Sequence, residues 1–362
     1  MAIIISIGTF ILGFFAEKLL DFFFSIFKEK LEKRKKEESL HCFYYDSHQN
    51  VLITASGIPS YLPRQIHENI TTETPFLLAK PENLDIDDPS SFSDHDCVTD
   101  AFKTFIANNS LQEQLEKAKN NVFKSFLEKS HGNHFNGKLL GVHQIEGLGR
   151  TPDTREEAIL SIKFYKTDYY THKVIEQLIQ NVSVDQNMLD DSTNYSWMRT
   201  SFGISIILII PKQNEIILTK RAKNTSYNDG KEWIYVSVTE TLSETDYNDD
   251  TGRPDLRKCV LRGISEELGI AERELKIDTL RFYDTFYETH FHQDNIVTSI
   301  EISDELTFSE IYSLLAKDKY MEVSDILTIP NDKRRIADFI NNNRANMRAQ
   351  TIFSLESFAA RM

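Results

Sequence analysis

Positive charge is in short supply in this chain. There are 41 Lys and Arg residues against 55 Asp and Glu residues, so the formal net charge is −14 at pH 7. A protein that binds long nucleic acids needs a basic surface to displace counterions from the phosphates. The composition therefore argues against long nucleic acid as a partner. A small anionic ligand held in a local basic pocket stays compatible with it.

Cysteine is scarce as well, and the chain has no internal repeat and no low-complexity block. The three cysteines are Cys42, Cys97 and Cys259. They have neither the CxxC spacing of a metal or redox site nor the density of a disulfide framework. The sequence therefore predicts free thiols in a reducing compartment. The 40% hydrophobic and 27% charged content predicts that most of the chain folds.

The amino-terminal segment lacks the positive charge that precedes the apolar core of a secretory signal peptide. Residues 1–27 are nearly all apolar, which predicts a transmembrane helix, and the basic stretch KEKLEKRKK follows it within 28–38. That stretch predicts a charged helical stalk. The positive-inside bias then places the amino terminus outside and the bulk of the chain in the cytoplasm, as a single-pass protein.

Three charged residues interrupt the apolar segment: Glu17, Lys18 and Asp21. One interpretation is a helix lying in the membrane surface, or an ordinary span whose charged end reaches the interface. The other is a span that assembles with copies of itself around a polar interior, because Lys18 and Asp21 are spaced i,i+3 on one helical face. The second interpretation predicts a homo-oligomer.

The rest of the chain has α+β character. Residues 39–135 read as a mixed α+β middle region, with short apolar runs followed by helical spacing. In residues 136–362 the run SFGISIILII predicts a buried strand, and a PKQNE turn leads to EIILTKRA as its hairpin partner. DLRKCVLRGISEELG predicts a helix closed by Gly269. LRFYDTFYETH and NIVTSIEISD predict neighbouring antiparallel strands.

The stretch RGISEELGI, residues 262–270, follows a strand that has an acidic exit. It resembles the second half of the Nudix box, GX5EX7REUXEEXGU, in which U is an aliphatic residue. Val238 stands where the box has glycine, Glu244 matches its first glutamate, and extra residues within TDYNDDTGRPD precede the helix. Gly263 replaces a glutamate. The resemblance implies a carboxyl-terminal Nudix-like α/β/α sandwich.

The box works by gathering carboxylates, which are ligands that Mg²⁺ prefers. The resemblance therefore implies Glu244, Glu266 and Glu267 as metal ligands if the chain is an active hydrolase. The missing carboxylate at position 263 argues against catalysis, and glycine inside a helix costs about 1 kcal/mol relative to alanine. We therefore expect no certain cofactor, with Mg²⁺ only for a hydrolase. The alternative without a metal site places Glu266 and Glu267 on a solvated helix surface.

The layout of a membrane helix, a middle region and an altered Nudix-like domain resembles the membrane-anchored Nudix effectors of bacterial CBASS antiphage systems. That resemblance implies an inner-membrane effector whose partners are a cyclic oligonucleotide and the lipid bilayer. Binding would trigger assembly of the transmembrane helices and disruption of the inner membrane. Two alternatives stay open: a membrane-tethered, Mg²⁺-dependent hydrolase of nucleoside-diphosphate compounds, and a tethered scaffold without a ligand.

Basic and aromatic residues near the expected cleft are the candidates for ligand binding, because cations neutralise phosphates and rings stack on bases. Each has a plainer alternative as a solvated cation or as part of a strand core. His290 and His292 are predicted to share one face of a strand. The candidate ligand-binding residues are Lys220, Arg221, Lys223, Trp233, Arg262, Tyr287, His290 and His292.

Overall fold

The computed structural model of the chain describes the segments 51–55, 66–70, 75–81, 91–127, 136–148, 159–221, 232–316 and 323–362. The predicted transmembrane helix 1–27, with Glu17, Lys18 and Asp21, and the predicted stalk 28–38 lie outside these residues. Lys223 also lies outside them.

The prediction of a transmembrane helix is corrected here. Within the described segments, no helix is both long and apolar enough to cross a bilayer. The longest of them, Gln112–Leu127, has 16 residues. At about 1.5 Å per residue it spans roughly 24 Å, short of a hydrocarbon core of about 30 Å. The fold is mixed α+β, and the single-pass inner-membrane location and the bilayer as partner are withdrawn.

The main element is a mixed sheet in which the strand order is β1-β11-β12-β5-β6-β13, with β8 also paired to β5 and β7 to β6. The pair β12–β5 is parallel, and the other pairs of this sheet are antiparallel. The strands are β1 (Val51–Ala55), β5 (Phe202–Ile210), β6 (Glu215–Arg221), β7 (Ile234–Val236), β8 (Val238–Thr241), β11 (Leu275–Glu288), β12 (Gln293–Ile302) and β13 (Val323–Pro330).

The predicted buried strand and its hairpin partner are confirmed as β5 and β6. The turn between them places Asn214 at a φ of 51°, a left-handed conformation that asparagine tolerates better than most residues. The predicted antiparallel neighbours are confirmed as β11 and β12. β5 is buried along almost its whole length because both faces of the sheet are covered.

Two helices cover opposite faces of β5. The helix α6 (Leu256–Leu268) packs on β5 and β8, and its apolar side chains share a core cluster with Ile204 and Ile206. The helix α9 (Ala349–Ala360) packs on the other face, where Gln350 donates to the hydroxyl of Ser205. Alternate residues of a strand point to opposite faces. This part of the sheet is therefore enclosed between helices.

Helix α6 begins after Asp255, whose carboxylate accepts from the main-chain N–H of Lys258. It ends at Gly269 with a φ of 74°, as predicted.

The remaining helices flank these layers. They are α1 (Asp100–Asn108), α2 (Gln112–Leu127), α3 (Tyr169–Ile179), α4 (Gln186–Asp190), α5 (Ser192–Tyr195), α7 (Phe308–Ser313) and α8 (Lys333–Asn343).

A second sheet has the order β2-β4-β3, formed by β2 (Ile66–Ile70), β3 (Lys138–Leu148) and β4 (Ile159–Asp168), and β9 (Tyr247–Asn248) pairs with β10 (Arg253–Pro254). Helices α1 and α2 share an aromatic-rich core with α3, in which Phe102 and Trp197 lie 5.0 Å apart between ring centroids. Elements on both sides of the predicted boundary at residue 135 thus pack together; the division itself stays a prediction.

Candidate functional site

A partly open cavity of about 90 Å³ lies on the face of the main sheet that α9 covers. Strands β5, β6, β7, β8 and β12, the turn 289–292, and helices α3 and α9 contribute to its wall. Its charged and aromatic lining consists of Arg221, Glu240, His172, Tyr235 and Phe291. Its small and amide lining consists of Gly203, Thr239, Thr241, Gln293 and Gln350.

Glycine at position 203 makes room for the polar side of the cavity. A Cβ at this position would lie 2.3 Å from Asn295 Oδ1 and 3.1 Å from Gln293 Oε1. Both of these residues belong to β12, which runs beside the start of β5 with Asn295 opposite Gly203. Any larger residue would displace these amides, so the cavity floor depends on a residue without a side chain.

Arg221, one of the predicted ligand-binding residues, is the cation of the cavity. Its guanidinium lies over the ring of Tyr235, 5.1 Å from the centroid, and its Nη2 donates to Thr239 Oγ1 at 3.0 Å. The neighbouring residue Lys220 donates instead to Asp325 at 2.9 Å and does not line the cavity. Successive residues of a strand point to opposite faces, which separates these two cations.

Trp233 is half-buried at the start of the segment that leads into β7. The guanidinium of Arg348 lies over the Trp233 ring, 4.4 Å from its centroid. The same guanidinium lies 5.0 Å from the ring centroid of Phe291. Phe291 lines the cavity. Trp233 therefore connects with the site through Arg348 and Phe291 rather than through the cavity lining.

The other aromatic candidates are placed differently from the prediction. Tyr287 is fully buried in the core of α1–α3, and its hydroxyl lies 3.1 Å from His292 Nδ1. His290 and His292 belong to the turn 289–292 instead of one strand face. His292 is buried with a φ of 51°, and burial lowers its pKa to about 4. His290 is exposed and packs edge-on against Phe291.

His172 lines the cavity from α3, and sequence reasoning did not single it out. Its Nδ1 lies 3.0 Å from Thr200 Oγ1, and it is 3% exposed. Burial, with smaller contributions from Lys173 and His292, lowers its pKa to about 3. The imidazole is therefore neutral near pH 7, and the cavity takes no positive charge from it.

Arg262 is the centre of an ionic network below β8. It makes two parallel hydrogen bonds to Asp246, from Nε at 2.7 Å and from Nη2 at 2.8 Å. Its Nη1 pairs with Glu240 at 3.1 Å and with Glu266 at 3.2 Å. These carboxylates outweigh the effect of burial and raise the pKa of the guanidinium. Arg262 thus holds the exit of β8 against α6.

Glu240 occupies the space beside Gly263. A Cβ on residue 263 would lie 2.9 Å from Glu240 Cβ, 3.0 Å from its Cγ and 3.2 Å from Val238 Cγ1. Contacts shorter than 3.0 Å at a Cβ force neighbouring atoms to move. Burial raises the pKa of the Glu240 carboxyl, and the charge of Arg262 opposes that shift. The glycine that interrupts the box motif is therefore a packing requirement of the contact between α6 and β8.

The three predicted metal ligands are not brought together. Glu244 pairs with Lys166 at 3.2 Å, Glu266 accepts from Arg262, and Glu267 is buried at 4% exposure. In the part of the chain that the structure describes, no group of three or more His, Cys, Asp or Glu side chains is arranged to hold a metal ion. This donor set does not fit Mg²⁺, which needs converging oxygen ligands. No metal-dependent step is derived from it.

Comparison with known proteins adds little to these residues. No family model matches the chain, and no curated protein sequence matches it. Among solved structures, the crystal structure of DR0079 from Deinococcus radiodurans is similar at 14% sequence identity, over 39% of this chain and 74% of that chain, with a TM-score of 0.27. A likeness this small carries no argument. The Nudix resemblance stays a prediction that depends on residues 262–270.

Proposed function

We propose that this chain binds a cyclic oligonucleotide second messenger of antiphage signalling, in the cavity between the main sheet and α9, without cleaving it. The observation that carries the proposal is the contact between Glu240 and Gly263. The place where the Nudix box would put a metal-binding carboxylate is filled by the body of another side chain. Gly263 is therefore required by the packing of the fold. We assign ligand recognition without cleavage to the adjoining cavity.

The chemistry of the cavity supports a nucleotide ligand. Arg221 supplies a guanidinium, which pairs well with phosphate oxygens, and Tyr235 and Phe291 supply aromatic surface. Uncharged hydroxyl and amide groups complete the wall, and they suit the polar edge of a base. With 90 Å³ available, the cavity holds one part of such a ligand, and the remainder lies across its mouth.

An effector must also respond to its ligand, and we propose that the response is a change in the self-association of the chain. A ligand shifts an equilibrium between two states only if it binds them with different affinity. The proposal therefore includes tighter binding of the cyclic oligonucleotide to one assembly state. Analytical ultracentrifugation with and without the ligand measures this directly.

The alternative is Mg²⁺-dependent hydrolysis of nucleoside-diphosphate compounds. Glu266 and Glu267 would be its remaining box carboxylates. Glu266 is paired with Arg262, and Glu244 with Lys166. Hydrolysis would require these ion pairs to open so that the carboxylates converge on a metal. The bonding observed in the site opposes that arrangement.

Calorimetry on the full chain separates the two functions. Cyclic di- and trinucleotides are titrated with and without Mg²⁺, and a panel of nucleoside diphosphates with Mg²⁺ is followed for released phosphate or nucleotide. We expect saturable binding of a cyclic oligonucleotide that does not require Mg²⁺, and no turnover. Rapid Mg²⁺-dependent turnover that disappears in Glu267→Gln, without cyclic-nucleotide binding, would establish the hydrolase instead.

A further inference from the structure

The amide of Gln350 has a fixed orientation in the cavity wall. Asn295 Nδ2 donates to the main-chain carbonyl of Gln293 at 2.9 Å, and a carbonyl can only accept. Asn295 Oδ1 must therefore face Gln350, whose Nε2 donates to it at 2.9 Å and to Ser205 Oγ at 3.0 Å. Both hydrogens of this amide are used within the wall.

The atom of Gln350 left for a ligand is consequently its Oε1, an acceptor. Gln293 is placed in a similar way, although only one hydrogen of its amide is used within the wall. Its Nε2 donates to Ser201 Oγ at 2.8 Å, and its Oε1 lies 3.1 Å from the place of a Cβ on Gly203, a residue of the cavity lining. Among the described residues, neither Oε1 atom has a hydrogen-bond donor.

The two amide oxygens select the chemical group that is placed against them. A buried carbonyl oxygen without a donor is costly, and a second oxygen placed against it is repelled. The exocyclic amino groups of adenine, guanine and cytosine are donors. Hypoxanthine presents a carbonyl oxygen where adenine carries its amino group, and uracil does so where cytosine carries its amino group, so both would set oxygen against oxygen. Hypoxanthine in place of guanine instead removes the 2-amino donor.

The size of the cavity agrees with a single base edge. Its 90 Å³ is smaller than the ~150 Å³ cavity that encloses one benzene ring, so only part of a ring system enters. The amino-bearing edge is the part that meets the two amide oxygens. The guanidinium of Arg221 also belongs to the cavity lining, where it lies over the ring of Tyr235.

We infer that Gln350 and Gln293 select a cyclic oligonucleotide whose base donates through an exocyclic amino group, over one whose base presents a carbonyl there. This inference rests on the proposed function and adds the class of base. Good hydrogen-bond matches to a base edge discriminate by roughly tenfold or more. Adenine-containing ligands are therefore expected to bind at least about tenfold more tightly than their hypoxanthine counterparts, and ligands with any amino-bearing base more tightly than those with uracil.

The test uses ligands matched in everything except the base. Cyclic di-AMP, cyclic di-GMP, cyclic di-IMP and cyclic di-UMP, with the corresponding cyclic trinucleotides, are titrated into the full chain by calorimetry. The expected result is binding of an amino-bearing member and about tenfold or greater weakening of the inosine analogue. In Gln350→Met the preference is expected to fall to within about threefold, while Gln112→Met, an exposed glutamine on α2, keeps it.

Three results overturn different statements. If no cyclic oligonucleotide binds, the proposed function fails and the inference fails with it. If one binds and its inosine or uridine counterpart binds equally well, only the inference about the base fails, and this ratio in the unaltered chain needs no variant to fold. If the preference exists but persists in folded Gln350→Met, the assignment to Gln350 is wrong.

Discussion

Glu240 and Gly263 face each other across the contact between β8 and α6, with the Glu240 side chain 2.9 Å from where a Cβ of residue 263 would lie. The atoms nearest to that position are Cβ and Cγ of Glu240, which are close to the backbone and cannot swing away. The helix therefore approaches the strand more closely than any side chain at position 263 would permit.

This contact predicts that Gly263→Ala destabilises the protein. Alanine is the better helix former by about 1 kcal/mol, but the overpacked contact with Glu240 costs about 1–3 kcal/mol. We expect a net loss in the free energy of unfolding, measured by urea denaturation. Ser265→Ala, at an exposed position of the same helix, is the control and should change stability by less than about 0.5 kcal/mol. A stabilised Gly263→Ala variant would contradict the packing argument.

Arg221 and Lys220 form a matched pair for the binding site, because adjacent cations on one strand point to opposite faces. Arg221→Gln should weaken binding of the cyclic oligonucleotide by about ten- to a hundredfold, since a charge-assisted hydrogen bond to phosphate contributes about 1.5–3 kcal/mol. Lys220→Gln removes the same charge from the face paired with Asp325 and should leave the affinity within about threefold. Calorimetry at one fixed salt concentration makes the comparison. Equal losses in both variants would indicate long-range attraction instead of a site.

Arg262→Met should be strongly destabilising. Asp246 is fully buried and accepts two hydrogen bonds from this guanidinium, so the variant leaves a buried carboxylate without its cation. Breaking such a pair costs about 3–5 kcal/mol. Arg257→Met, on the same helix, breaks only an exposed pair with Glu272 and should cost less than about 1 kcal/mol. Similar unfolding free energies for the two variants would show that the network below β8 contributes little.

Glu288 predicts a pH dependence of stability with a defined sign. Its Oε2 accepts from the main-chain N–H of Phe291 at 2.6 Å, and burial raises its pKa from 4.5 to about 7. Between these pH values the folded state keeps a proton that the unfolded state has lost. Its contribution to stability is therefore complete below about pH 4.5 and is lost as the pH rises to about 7, by roughly 3 kcal/mol.

Two histidines act in the opposite direction in an overlapping range. Because burial lowers the pKa values of His172 and His292, their contribution to stability is present above about pH 6.5 and is lost as the pH falls. The measurable quantity is thus the difference between the unaltered chain and Glu288→Gln, from urea denaturation at pH 4.5 to 7.5. As the pH rises, the free energy of unfolding of the unaltered chain should fall relative to that of Glu288→Gln. A flat difference, as expected for exposed Glu305→Gln, would refute the assignment.

The local pattern of the sequence was sufficient to predict the strands β5, β6, β11 and β12 of the main sheet and the helix α6. The continuous apolar run at Phe202–Ile210 predicted a strand covered on both faces, and Gly269 predicted the end of α6 because only glycine easily takes a φ of 74°. The parallel pairing of β5 with β12 was not predicted. Strand pairing depends on how whole layers pack, and no short pattern records it.

The candidate site could be predicted only in part. Arg221 is the last residue of β6 and was predicted from the sequence. His172 and Gln350 come from helices far away in the sequence and reach the cavity only through tertiary packing. Tyr287 shows why a strand pattern does not locate a binding face. Both faces of β11 are buried near Phe286 and Tyr287, so an aromatic residue there says nothing about which side meets a ligand. The membrane prediction depended on residues 1–27 alone.

The parallel pairing of β5 with β12, which sets Ile204 beside Ile296, also affects the rate at which the chain folds. The strands β6, β7 and β8 and the helix α6 all lie between these partners in sequence, so the loop closed by this pairing is long and its closure is entropically costly. Topologies dominated by such distant contacts fold slowly. The amides of β5 that pair with β12 should accordingly gain protection from hydrogen exchange later during refolding than the amides inside α6.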